Sequence, residues 1–267
     1  MPVTVEIPLV DPFDRFGVDH LSPTSMLQFR NDPALGICHL VYGIREAGSP
    51  AMHRGQALDQ AIGVLLSEQS GASQDSALGL ALDKFDALIA ETEETYSHDA
   101  INKERAVVAK CMTHCYPLIA DWGEPVSYQR PIRLMLSNIE VPVIGYIDLH
   151  YEAEVRELKS SAKPRREIGD DHAFQVVAYA MAIRQETGEW PRAVVDYLTP
   201  RGLSSYRLSD RNRWVQEVVD TANRIRNLLA SADNREDLCR QIRPDFGRWI
   251  WRYRPNAKKL ALEIFSQ

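Results

Sequence analysis

Apolar and polar positions repeat with two different periods along this chain, and the change of period divides it. Over 55–68, 77–94 and 99–121 apolar residues recur every three or four positions, which predicts three helices, with the Ser- and Gly-rich stretch 67–76 as a loop. An earlier helix is predicted over 22–31, capped at Ser22. From about 125 the period shortens: strands are expected near 125–137, 141–149 and 153–160. Val141 to Leu149 is β-branched and apolar, whereas Glu154 to Lys159 alternates charged with apolar, so these two strands should form a hairpin. A strongly helical run follows over 171–187, with Gly169-Asp170-Asp171 supplying the N-cap and Gly188 a stop. Strands near 193–199 and 203–208, a long helix over 210–231 and a terminal helix near 255–266 complete the pattern. Strands, then a helix, then strands predict an α/β fold, a central mixed sheet flanked by helices with an N-terminal helical portion.

The hairpin also carries chemistry. Residues i and i+2 of a strand share a face, so Glu157 and Lys159 should point together toward Asp148 while Leu158 turns to the core. Two carboxylates beside an ammonium suit a hard cation such as magnesium together with phosphodiester cleavage. The same alternation also describes an amphipathic surface strand. On the helix that follows, His172, Gln175 and Tyr179 fall on one polar stripe of an otherwise apolar surface, facing either a functional cleft or the boundary of the core.

Taken in order, Asp148, Glu157-x-Lys159 and Gln175-x-x-x-Tyr179 resemble the PD-(D/E)XK nuclease superfamily, and within it the RecB-like branch that includes the RecB and AddAB nuclease domains and the CRISPR adaptation exonucleases. Leu21 to Phe29 is similar to the Ser-rich opening helix of that branch. Gly55 to Asp59 occupies its Gly-x-x-x-His motif, and Arg192 to Thr199 looks like the strand after the Gln/Tyr helix. The resemblance runs over about 21–267. It implies a restriction-endonuclease-like fold in one domain, 1–267: a mainly helical portion 21–122, a catalytic sheet core 123–210 and a C-terminal helical portion 211–267. It further implies a magnesium- or manganese-dependent DNA nuclease, more an exonuclease than a sequence-specific endonuclease. In that assignment Asp59, Asp148, Glu157 and the Leu158 carbonyl hold the metal, Lys159 positions the attacking water, and Gln175 and Tyr179 place the DNA strand. The setting implied is recombination, repair, phage replication or defence, with a recombination or defence protein as a further partner. This chain departs from the pattern twice. Asp59 stands where the family has His, and the early position used for an iron–sulfur cluster reads Asn31-Asp32-Pro33 while only Cys239 remains near the C-terminus, so no cluster is expected.

Composition bounds these readings. A 267-residue chain that is 45% apolar can bury a full core, and no stretch reaches the roughly 20 apolar residues of a membrane helix. Met1 to Glu6 lacks a basic region followed by an apolar one, so a cytoplasmic protein without a secretory signal is expected. Cys38, Cys111, Cys115 and Cys239 read as reduced thiols; Cys111, His114 and Cys115 supply too few ligands for a zinc site, which favours helix packing. The net charge of −6 runs against a polyanionic substrate, but from Arg235 to Lys259 eight basic residues stand against three acidic ones. There Arg248 and Arg252 alternate with Trp249, Trp251 and Tyr253, a composition suited to phosphate contact and base stacking, or to anchoring on the core. Lys163, Arg165 and Arg166 form a second basic run just after the hairpin, where a DNA backbone would enter. The competing class is a nuclease-fold protein that binds DNA or a protein without cutting, which Asp59 and the acidic surface favour. An RNA substrate stays open, because no residue pattern reads the 2′-hydroxyl.

Overall fold

Three of the long helices begin at serines, and the same local chemistry starts each one. In the computed structural model, which describes residues 11–68 and 71–265, Ser49, Ser73 and Ser97 accept the backbone N–H of Met52, Ser76 and Ala100. These caps open α4 (Pro50–Ser67), α5 (Gln74–Glu91) and α6 (His98–Ile119). The described residues divide into two compact units, one within 47–132 and 145–215, the other within 11–46, 133–144 and 216–265. Met1 to Glu6, on which the expectation about a secretory signal rests, lies outside the described residues. Among those described, no helix is long and apolar enough to cross a membrane.

The first unit holds most of the sheet. Its strands are β1 (Ser127–Leu134), β2 (Val143–Tyr151), β3 (Glu154–Ser160), β4 (Arg192–Thr199) and β5 (Gly202–Arg207), side by side in that order. β2 and β3 form the expected hairpin, pairing antiparallel from Leu149↔Arg156 to Tyr151↔Glu154 around a two-residue turn. β3 runs parallel to β4, and α7 (Asp170–Thr187) makes the crossover between them; β5 returns antiparallel. Leu149, Leu158 and Leu198 turn to one face of the sheet and enter a core with Leu58, Ile62, Leu65, Phe85, Val108 and Met112 of α4, α5 and α6. The other face belongs to α7, whose residues from Ala173 to Ile183 are buried except for Gln175. The mixed sheet flanked by helices is thus the expected fold.

The second unit carries α1 (Pro12–Arg15), α2 (Pro23–Asn31) and α3 (Pro33–Leu40), most of α8 (Arg211–Ala230), α9 (Arg235–Arg240) and α10 (Pro255–Ile264). Ser22 caps α2 as expected, in a reciprocal box with Ser25. α1, α3 and α9 were not foreseen. α3 starts at Asp32-Pro33, where the Asp32 carboxylate caps the Ala34 N–H and Pro33 takes the first helical position. The same carboxylate accepts Nε1–H of the buried Trp251 at 3.0 Å. The aromatic run therefore splits: Trp251 anchors on the core, while Trp249 and Tyr253 remain exposed.

Candidate active site

The β2–β3 ladder ends at Leu149↔Arg156, and the next amide does not go to a strand. Leu158 N–H donates instead to Asp148 Oδ2 at 2.7 Å, so the strands part at the acid. Glu157, on the α7 side of β3, lies next to Asp148 and has Oε1 at 2.6 Å from Lys159 Nζ; its Oε2 is buried with no partner. Asp59 comes from α4. Its Oδ2 accepts from Tyr128 OH at 3.0 Å and from Gln129 Nε2 at 2.8 Å, while Oδ1 is buried and unpartnered. Gln129 also donates to Asp148 Oδ1 at 3.2 Å, tying two of the acids together through one amide.

Burial and mutual repulsion set the charges here. Burial pushes the Asp59 carboxyl up to about 6, with Glu157 adding to it and the bonds from Tyr128 and Gln129 working against it. Asp148 is raised well above the ordinary carboxylate range by burial, then by Glu157 and Asp59. For Lys159 burial opposes the charge, but the neighbouring Glu157 outweighs it and the ammonium is held more firmly than usual. Several acids that ionise reluctantly in one place repel one another, a repulsion that a bound cation would relieve. The two unpartnered oxygens, on Asp59 and Glu157, fit that chemistry because each is a hard donor that nothing else satisfies. The acids are not gathered tightly, however. Among the described residues no three His, Cys, Asp or Glu side chains have the spacing of a metal site. Lys159 provides the countercharge in this arrangement, and the neutral Gln129 amide adds hydrogen bonds.

The rest of the expected set is distributed around these groups. Gln175 Nε2 donates to Tyr179 OH at 2.8 Å, and Tyr179, only 4% exposed, has its hydroxyl proton held above the ordinary range by burial and then by Glu157. His172 turns to Tyr197 OH at 2.7 Å; burial, with Lys159 and Arg165 nearby, lowers its imidazole to about 4 and keeps it neutral. Lys163, Arg165 and Arg166 are exposed in the loop between β3 and α7, with the Arg165 guanidinium 5.9 Å from the Tyr197 ring centre. Arg248 and Arg252 lie in the other unit, exposed. Leu158 contributes its N–H to Asp148 and its side chain to the core. Cys111 and Cys115 are buried while His114 is exposed and bonded to the Lys110 carbonyl, so these three do not converge on a zinc ion. Burial pushes the Cys38 and Cys111 thiols up to about 12 and Cys115 to about 11, the behaviour of packing thiols.

Tyr128 and Gln129 were missed by the sequence reading, and a glycine explains the first. Gly55, Asp59 and Gly63 lie four residues apart on one stripe of α4. A Cβ at Gly63 would sit 2.4 Å from the Tyr128 ring, so the bare backbone is what lets the ring lie on the helix and reach Asp59. Gly63→Ala should therefore lower the melting temperature, although Gly→Ala inside a helix normally stabilises by about 0.8–1 kcal/mol. A melt as high as or higher than the parent's would show that the ring is not held by this contact.

The family model of the PD-(D/E)XK nuclease superfamily matches residues 20–248, and the chain belongs to that superfamily. A crystal structure of an exonuclease candidate from Eubacterium rectale superposes with a TM-score of 0.54 at 14% identity, over 92% of this chain and 90% of that one, and shows the same fold. No curated protein matches the chain significantly.

Proposed function

We propose that the chain is a divalent-cation-dependent deoxyribonuclease of the RecB-like branch, a single nuclease domain over 1–267 that acts from DNA ends as an exonuclease. The observation that carries this is the set Asp148, Glu157 and Lys159 on one side of the parted strands, with unpartnered oxygens on Glu157 and Asp59. Asp59, Asp148, Glu157 and the Leu158 carbonyl would hold magnesium or manganese, whose contribution when bound is to polarise the phosphate and lower the pKa of water. Lys159 keeps its proton next to Glu157, so its role is to orient the attacking oxygen and offset charge developing on the phosphate rather than to act as a base. Gln175, half-buried and held by its bond to the buried Tyr179 hydroxyl, offers a fixed amide to the strand being cut. The exonuclease name of the Eubacterium rectale neighbour supports end-directed action, as does the RecB-like order of motifs. A recombination, repair, phage replication or defence setting follows from the same likeness.

Substrate contact is assigned to Lys163, Arg165 and Arg166 and to the exposed segment holding Arg248 and Arg252. Among the described residues neither Arg248 nor Arg252 makes an ion pair, and between them Trp249 and Tyr253 stand edge to face with centroids 5.9 Å apart, 64% and 66% exposed. Free guanidiniums beside exposed rings suit phosphate contact with base stacking. Replacing Trp249 and Tyr253 together by Ala should weaken binding of a fluorescent single-stranded oligonucleotide by about tenfold without lowering the melt. Trp251→Ala should instead destabilise the fold. Undiminished binding by the double variant would remove the stacking role.

The test of function is cleavage of linear and circular DNA with magnesium or manganese against chelator. Cation-dependent loss of linear but not circular DNA is expected. Cutting of circles would make the protein an endonuclease. No cutting under any condition would favour a binding protein with a nuclease fold, a reading that the filling of the acidic site by Gln129 and Lys159 supports.

A further inference from the structure

Gln129 stands in β1 at φ +50°, the left-handed region that costs a residue with a Cβ about 1–2 kcal/mol. Such a backbone persists only where its surroundings hold it. Here they do: Tyr128, the preceding residue, is clamped on Gly63 and bonded to Asp59, and the twist at Gln129 sends its side chain in beside the Tyr128 hydroxyl. The amide nitrogen then donates to Asp59 Oδ2 at 2.8 Å and to Asp148 Oδ1 at 3.2 Å, so both of its hydrogens are spent on carboxylates from two different elements. The consequence for each acid differs. Asp148 has Leu158 N–H on one oxygen and Gln129 on the other; Asp59 has both of its donors on one oxygen and none on the second.

Resting on the reading of this site as a divalent-cation nuclease centre, we propose that Gln129 is a built-in counter-donor. Its amide holds Asp59 and Asp148 together when no divalent cation does so, and gives way when one binds. An amide suits this use better than a Lys or Arg would. It carries two donors in a fixed plane, enough to bridge two carboxylates, yet no net charge, so a doubly charged ion displaces it without ejecting a second cation from a buried place. An N–H pair cannot stay against oxygens that turn to a metal, because donor hydrogens and cation compete for the same lone pairs. The left-handed backbone fixes where the amide starts but leaves the side-chain torsions free to swing away.

Linkage gives this a sign. A contact present only in the cation-free form raises the stability of that form and lowers cation affinity by the same factor; removing it does the reverse. Gln129→Ala should melt lower than the parent in chelator, match the parent in saturating manganese, and bind manganese about tenfold more tightly by calorimetry at pH 8, the effect expected on losing a hydrogen bond to a charged group. Gln129→Asn is the second variant, since Asn tolerates the left-handed region well while its side chain is one methylene too short to span both acids. It should shift affinity in the same direction and keeps the experiment informative if the Ala variant fails to fold. Weaker manganese binding by the variants would overturn the proposal and make the amide oxygen a ligand; unchanged affinity would make Gln129 a bystander. If the parent itself neither binds manganese nor cuts DNA, the nuclease reading falls and takes this inference with it. If the parent binds and cuts while the variants titrate like it, only this inference is lost.

Discussion

Lys159→Met should reduce DNA cleavage by about 10²–10³-fold while changing DNA affinity by less than about threefold. The asymmetry comes from where the ammonium sits. Its Nζ is 2.6 Å from Glu157 Oε1, its side chain is 27% exposed against 3% for Glu157, and Asp148 adds to the field that keeps it protonated. One charge among many contributes little to the total attraction for a polyanion, for which Lys163, Arg165, Arg166, Arg248 and Arg252 are exposed. Beside the three acids it has no substitute, since no other Lys or Arg contacts Asp148, Glu157 or Asp59 among the described residues. Met keeps most of the stem and removes only the charge. It also leaves Glu157 without its partner in a buried place, so in chelator the variant should melt below the parent, and magnesium should recover part of the difference. Single-turnover cleavage, filter binding and melting on the same preparation separate these effects. Parent-like cleavage would move the reaction away from β3.

How much of this was legible in the sequence depends on what encodes each feature. The hairpin and α7 were readable because period-2 and period-3.6 patterns are local: the strand expected over 141–149 is Val143–Tyr151, and the helix expected over 171–187 is Asp170–Thr187. The α7 cap was read less well. Gly169 is the N-cap but makes no side-chain bond, and Asp170 and Asp171 sit in the first turn, where they favour the helix through its dipole. α3 was lost because Asp32-Pro33 was weighed only for a missing Cys, although Asp before Pro is itself a start signal. The nearness of Asp148, Glu157 and Lys159 follows from spacing along one strand pair, the shared stripe of His172, Gln175 and Tyr179 from spacing along one helix, and Asp59 from the motif it occupies. Tyr128 and Gln129 could not follow. Their placement depends on an absent side chain at Gly63 on another element and on a backbone twist that an ordinary strand pattern conceals. The split between Trp251 and its exposed neighbours is likewise tertiary, set by the Asp32 carboxylate that also starts α3.

Asp148→Asn should abolish cleavage, and its stability relative to the parent should reverse sense with pH. Asp148 is raised well above the ordinary carboxylate value by burial, then by Glu157 and Asp59. A group whose folded pKa lies above its unfolded one contributes stability that is fully present below the unfolded value, near 4, and is lost as pH rises through the folded value. In chelator the parent therefore gives up the contribution of Asp148 on going from acid to neutral pH and beyond, while the variant has none to give up. Asn has a cost of its own. Leu158 N–H and the Gln129 amide both donate to Asp148, and the single carbonyl oxygen of Asn can accept only one of them in the present geometry, leaving a buried donor unmet at about 1–3 kcal/mol. Near pH 5 the parent should thus melt higher than the variant, and by pH 8 in chelator the gap should close or invert. Magnesium or manganese should raise the parent's melt most at the higher pH, where the acids it would meet are ionised, and should do little for the variant. With one negative charge fewer beside the phosphate, the variant should bind DNA in chelator at least as tightly as the parent. Melting curves from pH 5 to 8, with chelator and with cation, carry the test: a parent-to-variant gap that stays constant across that range would mean that Asp148 titrates normally and is not part of a strained acidic centre.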